Sequence, residues 1–256
     1  MSRNIVNRIM PRFLRNILWG DRERWGLTVD PEDHHWLEWQ ETYAKFYLVN
    51  QRKGVGKMIN DAGYSVMADI DLSGKTVLEI GAGDIRHLSY WNGRPAKYLL
   101  ADISLDMMKF AVGRLEVEGV PHESLILQRE EGLPLADCSV DVIVSFYSLE
   151  HLYPLMPYVD QMLRVLKPGG VLIGAIPAEG GLAWGMGRAI TSRRWFKKNT
   201  TIDPDKIICW EHPNFSDEIL RVLDARMDRE SVNFWPFSWL PLPDVNLIIR
   251  YKYHRA

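Results

Sequence analysis

Short apolar runs alternate with longer amphipathic stretches from about residue 75 onward. The runs lie at 76–80, 98–101, 124–127, 140–144 and 171–176, rich in Val, Ile and Leu and too short for helices. Between them, helical patterns occupy about 86–92, 104–118 and 152–166. Such a β-α-β rhythm predicts a doubly wound, mainly parallel sheet. A Gly-rich, cationic stretch follows, to about 214, and then a helix over 216–225. Two further strand-like runs, 230–237 and 246–253, are separated by Pro236, Pro241 and Pro243 and predict an antiparallel pair at the end of the sheet. The pattern divides the chain into an N-terminal helical extension or lid, 1–74, and an α/β domain, 75–256, with an insertion at about 178–214.

The first twenty residues contain no acid. Arg8, Arg12 and Arg15 fall opposite Ile5, Ile9, Phe13 and Ile17 on a helical projection, and Pro11 predicts a kink. Three readings fit: an in-plane helix on an anionic membrane, a helix packed on its own domain, or a targeting segment. Residues 30–62 read as one or two helices with an aromatic stripe, Trp36, Trp39, Tyr43, Phe46 and Tyr47. A stripe of this kind either buries core area or closes over a ligand.

Composition narrows the function. With 31 Lys+Arg against 33 Asp+Glu the net charge is −2, so no global positive field holds nucleic acid, and no nucleic-acid partner is expected. Cys138 and Cys209 stand apart without metal-ligand spacing; no metal site is expected, and a reducing, cytoplasmic location is, either free or peripheral to the inner face of a membrane. No apolar run approaches the ~18 residues of a membrane span.

The chemistry-bearing string is Val77-Leu-Glu-Ile-Gly-Ala-Gly-Asp84. Gly81, Ala82 and Gly83 end a strand and open a helix, where glycine allows a sharp turn and close approach of a ligand. Asp102 closes the next strand, placed to take both hydroxyls of a ribose. Arg86 stands where a nicotinamide fingerprint wants a small residue, which favours an adenosine ligand without a pyrophosphate.

These strings resemble the class I S-adenosylmethionine-dependent methyltransferases. Glu79-Ile-Gly-Ala-Gly83 is similar to the first motif, and Asp102-Ile-Ser-Leu-Asp-Met107 to the second-strand acid with its adenine-lining neighbours. Residues 133–145, Leu149-Glu-His-Leu152 and Leu163-Arg-Val-Leu-Lys-Pro-Gly-Gly170 resemble the segments around the fourth and fifth strands. Gly83-Asp84-Ile85 is similar to the ubiquinone/menaquinone-biosynthesis members, and short strings in the insertion are similar to polysaccharide-locus methyltransferases. The resemblance implies S-adenosylmethionine as cofactor, with S-adenosylhomocysteine as product. It implies a cofactor site of Glu79, Gly81, Ala82, Gly83, Asp102, Ile103, Met107, Ser145 and Phe146. Glu130 or Glu131 stands in for the usual Gly-Asp, here Gln128-Arg129, at the adenine amino group.

The class shares no catalytic residue, because the sulfonium is already activated and alignment does most of the work. His151 and Glu179 are the expected bases for an acceptor that must lose a proton. Tyr147, Glu150 and His212 also lie near strand ends. An acceptor site is expected from Arg188, Trp184 and His212 in the insertion, with Tyr43 and Tyr47 from the aromatic stripe. The expected acceptor is a small molecule or a glycan- or lipid-linked metabolite, methylated on oxygen. A membrane-associated quinone or lipid methyltransferase and a non-catalytic adenosyl-binding subunit are the alternatives. Oligomeric state is not readable from the chain.

Overall fold

The computed structural model describes residues 4–50, 54–127 and 132–256. Seven strands form one sheet in the order β3-β2-β1-β4-β5-β7-β6: β1 (Thr76–Ile80), β2 (Lys97–Asp102), β3 (His122–Ile126), β4 (Val140–Phe146), β5 (Leu166–Pro177), β6 (Asp228–Trp235) and β7 (Ile248–His254). The first five run parallel, and β7 pairs antiparallel with both β5 and β6.

Both faces of the sheet are buried, which is why its central strands read as continuous apolar runs. Leu78 and Ile80 join one core with α7 (Leu155–Val165) and α11 (Ser216–Asp224). Val77, Leu100 and Val144 join the other with α6 (Leu105–Val117) and the residues 64–72. Ser104 caps α6 by accepting the Met107 N–H.

Three expectations are corrected in detail. The stretch 86–92 is a 3-10 turn over Arg86–Tyr90 rather than an α-helix. The fifth strand begins at Leu166, not at 171: Leu166 pairs with Val140 and Val171 with Val142, so the Lys-Pro-Gly-Gly residues bulge from a strand already under way. The insertion is mostly helical, as α8 (Leu182–Ile190), α9 (Ser192–Asn199) and α10 (Pro204–Glu211). Of its glycines, Gly185 lets α8 pack on Leu18 and Trp19, where a Cβ would meet both side chains at 3.0 Å.

The N-terminal residues form α1 (Ile5–Ile9) and α2 (Arg12–Trp19), broken at Pro11, then α3 (Arg22–Trp25). Next come two helices, α4 (His34–Asn50) and α5 (Gly54–Tyr64). Trp36 and Trp39 are buried, but against Phe196, Ile202, Ile207 and Trp210 of the insertion rather than against the sheet. Trp19 is buried too, so α1 and α2 do pack on the domain.

Asp244 ties these parts together. One carboxylate oxygen accepts the N–H groups of Ile5 and Val6, and the other that of Leu182, so a single buried acid caps both α1 and α8. Asp244→Ala is expected to cost about 1.5–3 kcal/mol, the usual worth of hydrogen bonds to a charged group. A lowered urea midpoint, with amide-exchange protection lost first at residues 5–9, is the expected reading; unchanged protection there would show that α1 is held by other contacts.

Candidate active site

The glycine turn is built as a cradle. Gly81 has φ +71° and lies under Ser148, whose Cβ would stand 2.5 Å from an added Cβ. Gly83 has φ +49°, and a Cβ there would meet nothing nearer than the Gly81 carbonyl at 3.9 Å. The open space beside Gly83 is therefore kept free of side chain where the strand ends.

Asp102 completes the cradle. Its Oδ2 accepts the Gly83 N–H at 3.2 Å and its Oδ1 the Ser104 N–H at 2.8 Å. Two carboxylate oxygens offer about four acceptor positions, so two remain for a diol. Burial lifts the Asp102 carboxyl above its ordinary pKa, against the backbone N–H bonds and the nearby charge of His151. Ile103, the next residue, is 70% exposed, an uncovered apolar face beside the acid, and Met107 is half-buried in the first turn of α6. An adenosyl group fits this set: a diol at Asp102, a flat apolar ring at Ile103 and an unobstructed turn at Gly83.

Other expected cofactor residues lie elsewhere. Glu79 is buried on the apolar face of β1, accepting from His87 Nε2 at 2.9 Å and Tyr98 Oη at 2.7 Å. The Trp91 indole donates to His87 Nδ1 at 3.0 Å, which sets the tautomer with the proton on Nε2. Both Glu79 oxygens thus hold side chains beneath the turn, although the resemblance places Glu79 in the cofactor site. Ala82 and Phe146 are buried, the latter against Tyr64 and His87. Ser145, fully buried, lies 2.6 Å from Ser148 Oγ, which donates to the Ile80 carbonyl. Glu130 and Glu131 lie outside the described residues.

The acceptor edge differs most from expectation. Glu179 follows β5 at zero exposure. Arg188 Nη1 donates to its Oε1 at 2.9 Å, Arg188 Nη2 donates to its Oε2, and Trp184 Nε1 donates to Oε2 at 2.9 Å. Burial alone would raise the Glu179 pKa; the Arg188 charge outweighs it and holds the carboxyl well below the usual range. An acid so stabilised is a poor proton acceptor, and Arg188, buried and bidentate on it, is not free to clamp an anion. The expected roles of Glu179 as base and Arg188 as acceptor clamp are both corrected: they form one structural ion pair.

His212 belongs to the same cluster, its Nδ1 3.0 Å from Glu179 Oε2 but off the line of a hydrogen bond. Burial, helped by the Arg188 charge, pushes its pKa down to about 4, so the ring is neutral. His151 stacks edge-on against it at 4.7 Å between ring centres. His151 Nδ1 lies 3.3 Å from Glu211 Oε2, while Nε2 lies 4.0 Å from Glu150 Oε1. Burial would lower the His151 pKa, but these carboxylates more than offset it and push it up to about 9. The Glu150 pKa is raised by burial to about 7, and its Oε2 has no hydrogen-bond partner among the described residues.

Glu211 was not singled out in the sequence, although it stands beside His212 in the same short string. Its other oxygen accepts the Trp39 indole N–H at 2.8 Å, so α4 reaches the site through it. Tyr43 packs edge-on against Trp39 at 5.3 Å. The side chain of Tyr47 lies outside the described residues. Tyr147 donates to the Asn60 carbonyl at 3.0 Å, and burial raises its pKa well above the ordinary value. Asp33, His34 and His35 bring three ligand-type atoms within 4.8 Å, but Asp33 pairs with Lys206 and His35 Nδ1 accepts the Asp203 N–H.

Comparison with known proteins agrees with this geometry. Residues 78–174 match the family described as methyltransferase domain. A fatty-acid O-methyltransferase from Mycolicibacterium smegmatis is 32% identical over 113 residues, covering 43% of this chain and 40% of that protein. A ubiquinone/menaquinone biosynthesis C-methyltransferase from Pseudomonas paraeruginosa is 35% identical over 105 residues, 40% of this chain and 41% of that protein. The chain thus spans about two fifths of the length of these curated relatives. The crystal structure of an S-adenosylmethionine-dependent methyltransferase from Aquifex aeolicus superposes with a TM-score of 0.55 over 83% of this chain and 98% of that one, at 19% identity, a likeness of fold. With its motifs in order along this sheet, the chain carries at residues 78–174 a segment that matches a methyltransferase domain and is similar to S-adenosylmethionine-dependent methyltransferases.

Proposed function

We propose that the protein transfers a methyl group from S-adenosylmethionine to a hydroxyl of a small-molecule or glycan- or lipid-linked acceptor. The observation that carries this reading is the His151–Glu211 pair standing at the same sheet edge as the Gly83–Asp102 cradle. When bound, S-adenosylmethionine supplies an electrophilic methyl that needs no further activation. Asp102 would hold the ribose diol and Ile103 the adenine. Glu211 would fix the His151 ring and its Nδ1 proton, leaving Nε2 to take the proton of an acceptor hydroxyl. Placing the acceptor oxygen in line with the methyl is the remaining task of the edge, for which Trp184 and His212, both half-buried, are the candidate lining residues.

Oxygen is favoured over nitrogen because a hydroxyl must shed a proton, and His151 Nε2, once its own proton has left, is a group at this edge that can take it. The relative named as a fatty-acid O-methyltransferase supports the same choice. With the Arg188 guanidinium taken up by Glu179, no side chain among the described residues of this edge demands an anionic acceptor. The relative named as a C-methyltransferase keeps a quinone-type carbon acceptor as the second reading.

Asp102→Ala should weaken S-adenosylhomocysteine binding on the order of a hundredfold, since two hydrogen bonds to a charged acceptor are lost at ~1.5 kcal/mol or more each. Thermal shift and titration calorimetry read this directly; a wild-type protein stabilised by NAD and indifferent to S-adenosylhomocysteine would overturn the reading.

Activity should depend on pH through His151. Its pKa of about 9 leaves it protonated near neutrality, so kcat/KM is expected to rise with pH through a midpoint near 9 and level off above it. Glu211 helps hold the proton on, so Glu211→Gln should shift the rising limb to lower pH while reducing the plateau through lost orientation. A limb that stays in place in Glu211→Gln would remove Glu211 from the mechanism, and a flat profile in wild type would remove His151.

A further inference from the structure

The amphipathic N-terminus packs on the domain, but with its apolar side outward. Trp19 points in, whereas Phe13 and Ile17, one turn apart on α2, are 65% and 52% exposed. Packed beside α2 lies α8, whose own outward turn carries Met186 and Ile190, 54% and 60% exposed. Ile17 and Ala189 line one groove with Arg194 and Lys197 of α9, so apolar and cationic side chains meet at the seam of three helices. Four large apolar side chains at such exposure on adjoining helices exceed the isolated exposed residues of an ordinary surface.

Charge decides what covers this face. The acids beside it are already matched: Asp205 pairs with Arg193, and Glu23 with Arg12 and Arg15. Arg194, Lys197 and Lys198 on α9 are exposed, and none is paired with an acid among the described residues. An apolar strip bordered by cations is the pattern of a helix pair lying in an anionic lipid interface, the apolar groups in the acyl boundary and the cations at the headgroups. No described helix is long and apolar enough to cross a membrane, so the contact is one of lying on the surface.

We infer that α2, α8 and α9 together form a docking surface for an anionic phospholipid membrane. This reaches beyond the N-terminal twenty residues, since two of the three elements belong to the insertion that also carries Arg188 and Trp184.

The experiment uses the full chain and vesicles of equal parts phosphatidylcholine and phosphatidylglycerol, against vesicles of phosphatidylcholine alone. Sedimentation with the anionic vesicles at low salt is expected, weakening as salt is raised. Phe13→Asp with Ile17→Asp should reduce partitioning at least ~tenfold, because apolar insertion is lost. Lys197→Glu with Lys198→Glu should do likewise and abolish the preference for anionic lipid. A retained melting-temperature shift with S-adenosylhomocysteine shows that each variant is folded; the lysine pair, wholly on the surface, carries the test should the aspartates disturb α2. Wild-type protein that ignores anionic vesicles at low salt overturns the proposal, as does equal sedimentation of the lysine variant. A dimer that Phe13→Asp dissociates, with no vesicle binding, would assign the face to a second copy instead.

Discussion

A carboxylate with no exposure to water must be surrounded by donors, and Glu179 satisfies that requirement by gathering four segments of the chain around the end of β5. Its side chain holds Arg188 and Trp184 of α8 and lies against His212 after α10. Its carbonyl accepts from the Ser216 N–H and Oγ–H at the start of α11 and from the Asn4 amide ahead of α1. Removing one partner of such a buried pair leaves the other charge uncompensated, a loss of about 3–5 kcal/mol in comparable cases. The insertion, the N-terminus and the last helix therefore share one anchor, and the acceptor edge inherits its shape from it.

That anchor sorts the titratable groups of the edge into different roles. Glu179 is held in its charged form by Arg188, and beside it His212 is held neutral. His151, one ring away, faces two carboxylates instead of a guanidinium and is driven the other way. Two adjacent histidines thus have pKa values pushed apart by their neighbours alone, the arrangement by which one site separates a structural group from an acid–base group. The Trp39–Glu211 bond extends this to the N-terminal aromatic helix, so α4 supports the orientation of His151 while its tryptophans bury against the insertion.

The sheet, its strand order class and the cofactor turn were legible because they depend on local rules. Alternating short apolar runs and helical patterns report burial on both faces of a parallel sheet. Gly81, Gly83 and Asp102 follow from backbone geometry at strand ends, and Asp102, read as a ribose ligand, also accepts the N–H of Gly83 in the turn. Where the reading missed, long-range pairing was the cause. Glu79 has the motif's position but is turned to His87 and Tyr98, partners that no spacing rule selects. Glu211 sits next to the histidine of its string yet serves the other one, 60 residues away in the chain.

The sequence by itself determined the class of fold and the glycine turn with its strand-end acid, since periodicity, glycine turns and strand-end acids act within a few residues. It also determined that the N-terminal helix has an apolar and a cationic side. Only the tertiary structure decided which way that helix faces, that Arg188 neutralises Glu179 and is not free to meet a substrate, and that His151 rather than Glu179 is the basic group. The physical reason is that a side chain's charge state and exposure are set by what the fold brings within a few ångströms. For Glu211 and Asp244 those neighbours lie on segments far removed in sequence.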